Sequence, residues 1–382
     1  MPMTSKLPRV GTTIFTLMSQ LAAEHSAVNL GQGFPDFDAP PFLVDSLAQA
    51  MRDGHNQYAP MTGVAALREA IAEKIAAMYG VHVDAGADVT VTSGATEAIF
   101  CAIQSVVRPG DEVIVLDPCY DCYEPAIDLA GGRAMHVPLM APEFRVDWQR
   151  VRDAITSRTR LLIVNSPHNP TGAVFSAEDL DAMAEALRDT EVLVLSDEVY
   201  EHIVFDGALH QSVLRHAELA ARSFVVSSFG KTYHCTGWKL GYCVAPAALS
   251  AEFRKVHQYV TFCSFNAAQH ALAAMLRKHP EHHLELPAFY QHKRDRFREL
   301  LAGSRLALPL VAGAYFQLAD YSQISDLDDV DFCRWLTVEK GVAAIPLSPF
   351  YENPPPGQRL IRFCFAKAEA TQLAAAERLQ SL

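Results

Sequence analysis

Hydrophobic positions through the middle of the chain follow two alternating patterns. Val113–Leu116, Leu161–Val164, Val192–Leu195 and Phe224–Ser227 are short, β-branched and mostly apolar at consecutive positions. Runs of this kind predict strands buried on both faces of a sheet. Between them lie stretches with apolar residues at helical spacing, such as Ala177–Arg188. The alternation predicts an α/β fold with a mostly parallel central sheet flanked by helices. Amphipathic helices are predicted over Val64–Tyr79, Ala251–Val260, Ala267–Lys278 and Pro287–Leu301.

The pattern changes near residue 300. Leu306–Leu318, Val342–Pro346 and Leu360–Phe365 predict strands, and Val330–Lys340 and Ala368–Leu382 predict helices, so a small α+β domain is expected there. The start of the chain is rich in Gly and Pro around 31–41 and predicts an extended arm. The expected organisation is an arm over 1–45 that packs with the small domain, a large domain over 46–280 and a C-terminal small domain over 281–382.

Composition narrows the function classes. Half of the residues are hydrophobic, which disfavours disorder, collagen and coiled coil. Lys+Arg number 32 against 44 Asp+Glu, a formal net charge of −12. An acidic chain lacks the basic face that nucleic acid requires, so small-molecule partners are expected instead. No apolar run reaches the ~18 residues of a membrane span, and no apolar segment follows the charged start, so a cytoplasmic protein is expected. The eight cysteines are scattered. Cys119 and Cys122 form one CxxC, but no second close pair completes a zinc site, and no metal is expected. His279, His282 and His283 cluster in a polar stretch that reads as a solvated helix end.

In an open α/β sheet, ligands bind beyond the carboxyl ends of the strands. After Leu161–Val164 comes Asn165-Ser-Pro-His-Asn169-Pro-Thr-Gly172. After Val192–Leu195 comes Ser196-Asp197-Glu-Val-Tyr200. After Phe224–Val226 comes Ser227-Ser-Phe-Gly-Lys231. Each alone is ordinary turn punctuation. Together they deliver Asn169, Asp197 with Tyr200, and Lys231 to one edge. A fourth element, Thr92-Ser-Gly-Ala-Thr96, opens a helical stretch whose exposed N–H groups suit an anion. Ser228 and Lys239 could add a hydroxyl and a point charge there. A lysine for a Schiff base, a carboxylate for a pyridinium nitrogen and an anion cradle suit pyridoxal 5′-phosphate. Asn169 and Tyr200 could bond the ring hydroxyl, and Tyr120 could stack on the ring. On the alternating strand Leu360-Ile-Arg362-Phe-Cys-Phe365, Arg362 shares a face with Leu360 and Cys364, where it is either paired or available to an anion.

These motifs resemble the class I/II aminotransferases of PLP fold type I. The segments that carry the resemblance are NSPHNPTG (165–172), SDEVY (196–200) and SFGKTYHCTGWKLGY (228–242). It extends from Asn29-Leu-Gly-Gln-Gly33-Phe-Pro-Asp-Phe37 to Ile361-Arg-Phe-Cys-Phe-Ala366. These end motifs, with Asp121-Cys-Tyr-Glu-Pro125, look most like the kynurenine/glutamine aminotransferase branch and its bacterial methionine aminotransferases.

The resemblance implies that Lys231 carries the cofactor and then shuttles a proton. It pairs Asp197 with the pyridinium nitrogen, sets Asn169 and Tyr200 on the ring oxygen, and stacks Tyr120 on the ring. Ala95 and Thr96 would cup the phosphate beside Ser228 and Lys239. Tyr58 would reach the phosphate from a second subunit, so a homodimer with shared active sites is implied. Arg362 would bind the substrate carboxylate as a fork, helped by Gly33 and Asn169, with Phe15 and the other subunit's Phe262 lining the side-chain pocket.

The implied reaction is ping-pong transfer of an amino group from methionine or a large neutral or aromatic amino acid to a 2-oxo acid. Relatives that act on kynurenine tend to carry Trp at the Phe15 position, Tyr at the Thr96 position and His at the Cys263 position, which argues against efficient kynurenine turnover here. The same scaffold also supports a carbon–sulfur β-lyase, the alternative expectation.

Overall fold

The computed structural model describes residues 4–382. Among them, twelve strands form three sheets. In chain order these are β1 (Val28–Asn29), β2 (Val89–Thr92), β3 (Glu112–Asp117), β4 (Arg133–Pro138), β5 (Thr159–Asn165) and β6 (Leu193–Asp197). They continue with β7 (Ser223–Ser228), β8 (Gly241–Val244), β9 (Phe316–Asp320), β10 (Val342–Ala343), β11 (Ile345–Pro346) and β12 (Leu360–Cys364).

The large sheet has the order β2-β8-β7-β6-β5-β3-β4. The neighbours from β7 through β6, β5 and β3 to β4 are parallel, and β8 runs antiparallel to both β2 and β7. Successive residues of each central strand enter different cores. Val113, Val115, Leu161, Ile163 and Leu195 pack with the helix Ala95–Val106 on one face. Ile114, Leu116, Leu162, Val164 and Val194 pack into the other core. Apolar side chains on both faces are what the uninterrupted runs of the sequence require.

A second sheet, β11-β12-β9, is antiparallel and sets Arg362 on its middle strand opposite Leu318 and Ile345. The third is the parallel pair β1 and β10, in which Val28 opposes Val342. No helix of the described residues is long and apolar enough to cross a membrane.

Three sequence expectations are corrected. The strand expected over Leu306–Leu318 forms only from Phe316. The stretch before it instead loops beneath the Asn-Pro-Thr-Gly turn, where Ala312 N–H and Gly313 N–H both donate to the Gly172 carbonyl. The extended arm contains a helix, Ile14–Glu24. Thr13 Oγ1 caps it by accepting from Thr16 N–H at 3.3 Å, and Met18 and Ala22 are buried one turn apart. A second helix, Pro41–Arg52, starts with proline at a position that lacks an intrahelical acceptor anyway. The helix expected from Pro287 begins at Glu281, so the histidine cluster is not a solvated end. His283 is buried with its ring 5.0 Å from that of His202, and His282 Nε2 donates to the Thr232 carbonyl at 2.9 Å.

Candidate active site

The carboxyl ends of β5, β6 and β7 lie side by side, with Asn165 in register with Asp197. A cavity of about 310 Å³ opens over this edge and reaches Arg362 on the other side. Among the sequence-predicted residues, Phe15, Gly33, Ala95, Thr96, Tyr120, Asn169, Asp197, Tyr200, Ser228, Lys231, Lys239 and Arg362 all line it. Tyr58 and Phe262 do not. They meet edge to face at 5.2 Å on the surface, Tyr58 with 82% of its area exposed.

Asp197 is the last residue of β6 and is buried. Its Oδ2 accepts from the Tyr123 hydroxyl at 2.7 Å, and its Oδ1 accepts from Val199 N–H at 3.3 Å. Burial still dominates and pushes its carboxyl up to about 6, with the tyrosine, the amide and Lys231 pulling the other way. The turn that follows is clamped by two further buried acids. Glu198 accepts from Ser196 Oγ at 2.8 Å and from Val213 N–H at 3.0 Å. Glu201 accepts from Lys74 Nζ at 2.7 Å and from Tyr242 Oη at 2.8 Å. Burial disfavours the Glu201 carboxylate, but the Lys74 ammonium holds it well below the usual range. Breaking a pair of this kind typically costs about 3–5 kcal/mol, because the remaining charge stays buried. Between these anchors the turn places Tyr200, whose ring meets Tyr315 at 5.1 Å and Phe316 at 5.8 Å.

Lys231 sits on the single helical turn Phe229–Thr232 after β7. Its Nζ donates to the Gly33 carbonyl at 3.3 Å, which also accepts from the Tyr315 hydroxyl at 2.7 Å. Burial lowers the lysine to about 8, so a useful fraction is the neutral, nucleophilic amine near neutral pH.

The opposite wall is the start of the helix Ala95–Val106. Gly94 precedes it with φ +84°, a conformation that glycine adopts without strain. Lys239 itself adopts φ +53°, unusual for a side-chain-bearing residue. A Cβ on Gly94 would stand 3.4 Å from Lys239 Nζ, so the ammonium lies against the positive end of that helix. Two positive features side by side, with first-turn N–H groups lacking intrahelical acceptors, suit an anion between them. Gly241 lets the chain pass close behind, since a Cβ there would come 2.5 Å from the Ser227 carbonyl.

Arg362 is fully buried. Its Nη1 donates to Asn169 Oδ1 at 2.7 Å and its Nη2 to the Gly31 carbonyl at 3.0 Å, and its Nε has no partner among the described residues. The guanidinium carbon lies 4.0 Å from the Phe316 ring centroid and 5.2 Å from that of Phe15. No carboxylate of the described residues lies within ion-pair distance of it.

Sequence reasoning missed Gln32 and Phe316 in the lining and Tyr123 behind Asp197. Tyr123 stands inside the Asp121–Pro125 motif. Phe316 lies in the segment whose strand was placed too early, and Gln32 is one residue before Gly33.

The class I and II aminotransferase model matches residues 25–379. The chain is 58% identical to the methionine aminotransferase of Escherichia coli (strain K12), over 99% of this chain and 98% of that one. It is 36% identical to kynurenine–oxoglutarate transaminase 1 of Mus musculus, over 95% and 93% respectively. The crystal structure of YbdL from Escherichia coli, described as having a methionine aminotransferase function, superposes with a TM-score of 0.98 at 57% identity and full coverage of both chains. With sequence, fold and pocket in agreement over almost the whole length, the chain belongs to the class I and II aminotransferases.

Proposed function

We propose that this aminotransferase uses pyridoxal 5′-phosphate to move the amino group of methionine, and of large neutral or aromatic amino acids, to a 2-oxo acid. The observation that carries this reading is the set of three groups around one cavity: the lowered Lys231 amine, the buried Asp197 carboxyl and the buried Arg362 without a carboxylate partner. Methionine is put first because of the 58% identity to the Escherichia coli methionine aminotransferase and because the wall around Arg362 is aromatic.

The residues present fit the cofactor. Asp197 is a buried carboxyl raised by desolvation, and a cationic ring N–H would relieve that cost. The Lys239 ammonium at the start of the helix Ala95–Val106, with Ala95, Thr96 and Ser228, would hold a phosphate. Tyr120 would lie on the ring, and Asn169 and Tyr200 would meet its oxygen. Bound there, the cofactor supplies an electron sink that lets the substrate's Cα proton leave.

The chain's own residues perform the remaining tasks. The Arg362 fork takes the substrate carboxylate, with Asn169 and the backbone near Gly33 beside it. The Lys231 amine accepts the substrate's Cα proton and would return it to the C4′ carbon of the cofactor. Phe15 and Phe316 exclude water and contact the side chain, where a flexible thioether can pack against aromatic faces. We further propose a large domain over 46–280 and a small one formed by the arm with 281–382. In the homodimer, Tyr58 and Phe262 complete the partner's site, a reading supported by their exposure and their absence from this chain's own cavity lining.

The test is the visible spectrum of the purified protein with L-methionine and no oxo acid. The cofactor band should disappear as the oxo acid of methionine is released. A persistent band with accumulating ammonia would replace this reading with β-lyase chemistry.

A further inference from the structure

The Asp197 carboxylate has one short side-chain partner, and it comes from outside the cavity. Tyr123 is the first residue of the helix Tyr123–Ala130, and its hydroxyl reaches Oδ2 at 2.7 Å. The other contact to the carboxylate, from Val199 N–H, is long at 3.3 Å, and Asn165 Nδ2 bonds the Asp197 backbone carbonyl instead. Tyr123 is itself buried. Burial, with the neighbouring Asp197 charge, keeps its phenol protonated and therefore a donor. It does not line the cavity. Its ring packs edge to face on Tyr120 at 6.0 Å, so one short helix start supports both the stacking residue and the acid. A phenol has few rotatable bonds, and a buried one fixes the direction of its hydrogen bond.

We infer that Tyr123 is a positioning residue for the transamination, orienting the Asp197 carboxylate and keeping it ionised toward the cofactor's ring nitrogen. The inference rests on the cofactor assignment proposed above. A hydrogen bond to a charged group that is lost without replacement makes the anion harder to hold. In its absence the proton shared between acid and ring nitrogen moves toward the acid, and the ring becomes a weaker electron sink.

The test compares wild-type and Y123F holoenzyme in two measurements. One is the pH titration of the bound cofactor's visible band. The other is the single-turnover half-reaction with L-methionine. In Y123F the titration midpoint is expected to move by about one pH unit and the half-reaction to slow by about tenfold. The methionine concentration for half-saturation should stay unchanged, because Arg362 is untouched. In an Asp197→Asn background the same substitution should leave the titration where it was, whereas a purely structural hydroxyl would matter equally in both. Should Y123F not fold, 3-fluorotyrosine at position 123 is a stronger donor of the same shape and should shift the midpoint in the opposite direction. Coincident titrations and rates for wild type and Y123F, or no shift with the fluorinated residue, overturn the inference. A wild-type protein that shows no cofactor band overturns the site reading itself, a separate and visible failure.

Discussion

Arg362 donates through Nη1 to Asn169 Oδ1 at 2.7 Å, which joins the middle strand of the small sheet to the loop after β5. The arginine therefore reaches the cavity already oriented, with its guanidinium carbon over the Phe316 ring. Arg362→Ala is expected to raise the methionine KM by two orders of magnitude or more, consistent with about 3 kcal/mol for a desolvated charge pair. Arg362→Lys should recover little of this, because an ammonium cannot reproduce the fork. Steady-state kinetics over a wide methionine range checks both variants.

Lys231→Ala removes one of two lysine amines that line the cavity among the described residues, the other being Lys239 at the far wall. The variant is expected to keep its fold, to lose the visible band of covalently held cofactor and to lose turnover by several orders of magnitude. Circular dichroism and absorbance on the same sample separate these effects. Near-normal transamination would place the chemistry on another residue.

Asp197 gives the apoprotein a pH dependence of definite sign. Its folded-state value, about 6, lies above the ordinary 3.8. A carboxyl raised in the folded state binds its proton more tightly there, so its contribution favours folding at low pH and fades as pH rises through the window from about 4 to about 6. The full swing is about 3 kcal/mol. Urea unfolding of apoprotein should show wild type losing stability relative to Asp197→Asn across that window. Parallel curves would mean that Asp197 is ionised with full compensation.

Gly241→Ala tests the close packing behind the helix start. The added carbon would stand 2.5 Å from the Ser227 carbonyl and 3.1 Å from Ala95 N. Backbone atoms cannot step aside as a flexible side chain would, so a loss of about 1–3 kcal/mol is expected. The helix start and β7 should be forced apart, and the cofactor should dissociate faster. Thermal unfolding and dialysis of holoenzyme measure the two effects.

Mixed dimers test the shared site. Lys231→Ala and Tyr58→Ala subunits, each weak alone, are expected to regain about a quarter of wild-type activity after random re-pairing, since each hybrid holds one intact site. No recovery would place Tyr58 outside the partner's site.

The central sheet was legible because its strands are apolar on both faces, as in Leu161–Val164, and no helix competes for so short a run. β2, β8 and β4 were not: Val89–Thr92 and Gly241–Val244 are short runs that mix threonine or glycine with apolar residues, and Arg133-Ala-Met-His-Val-Pro lies at the edge and is only partly buried. The catalytic edge was legible because three turns each follow a recognisable strand. Arg362 could be placed on its face, but its bond to Asn169 could not, because nothing local links the two residues. The loop before Phe316 misled for a related reason. Its apolar residues Leu306 and Val311 are buried, yet its backbone hydrogen bonds are divided among Asp320, the Gly172 carbonyl and the Ile203–Phe205 segment instead of running along one neighbouring strand. Tyr58 and Phe262 were identified through the resemblance alone; as single residues they would pass for packing aromatics.

The pairing of β1 with β10 has a consequence for how the protein is made. Val28 is held by residues around Val342, and Leu30 N–H donates to Ala343. The segment carrying Gly33 is therefore made well before the residues around Val342 that anchor it. Contacts between segments so far apart in sequence are costly to close and slow to form. The strands of the large sheet are all made before residue 250, while the wall of the cavity that meets the substrate must wait for residues 342 and 343. Nascent chains stalled before residue 342 should therefore expose a formed sheet edge whose substrate wall is missing.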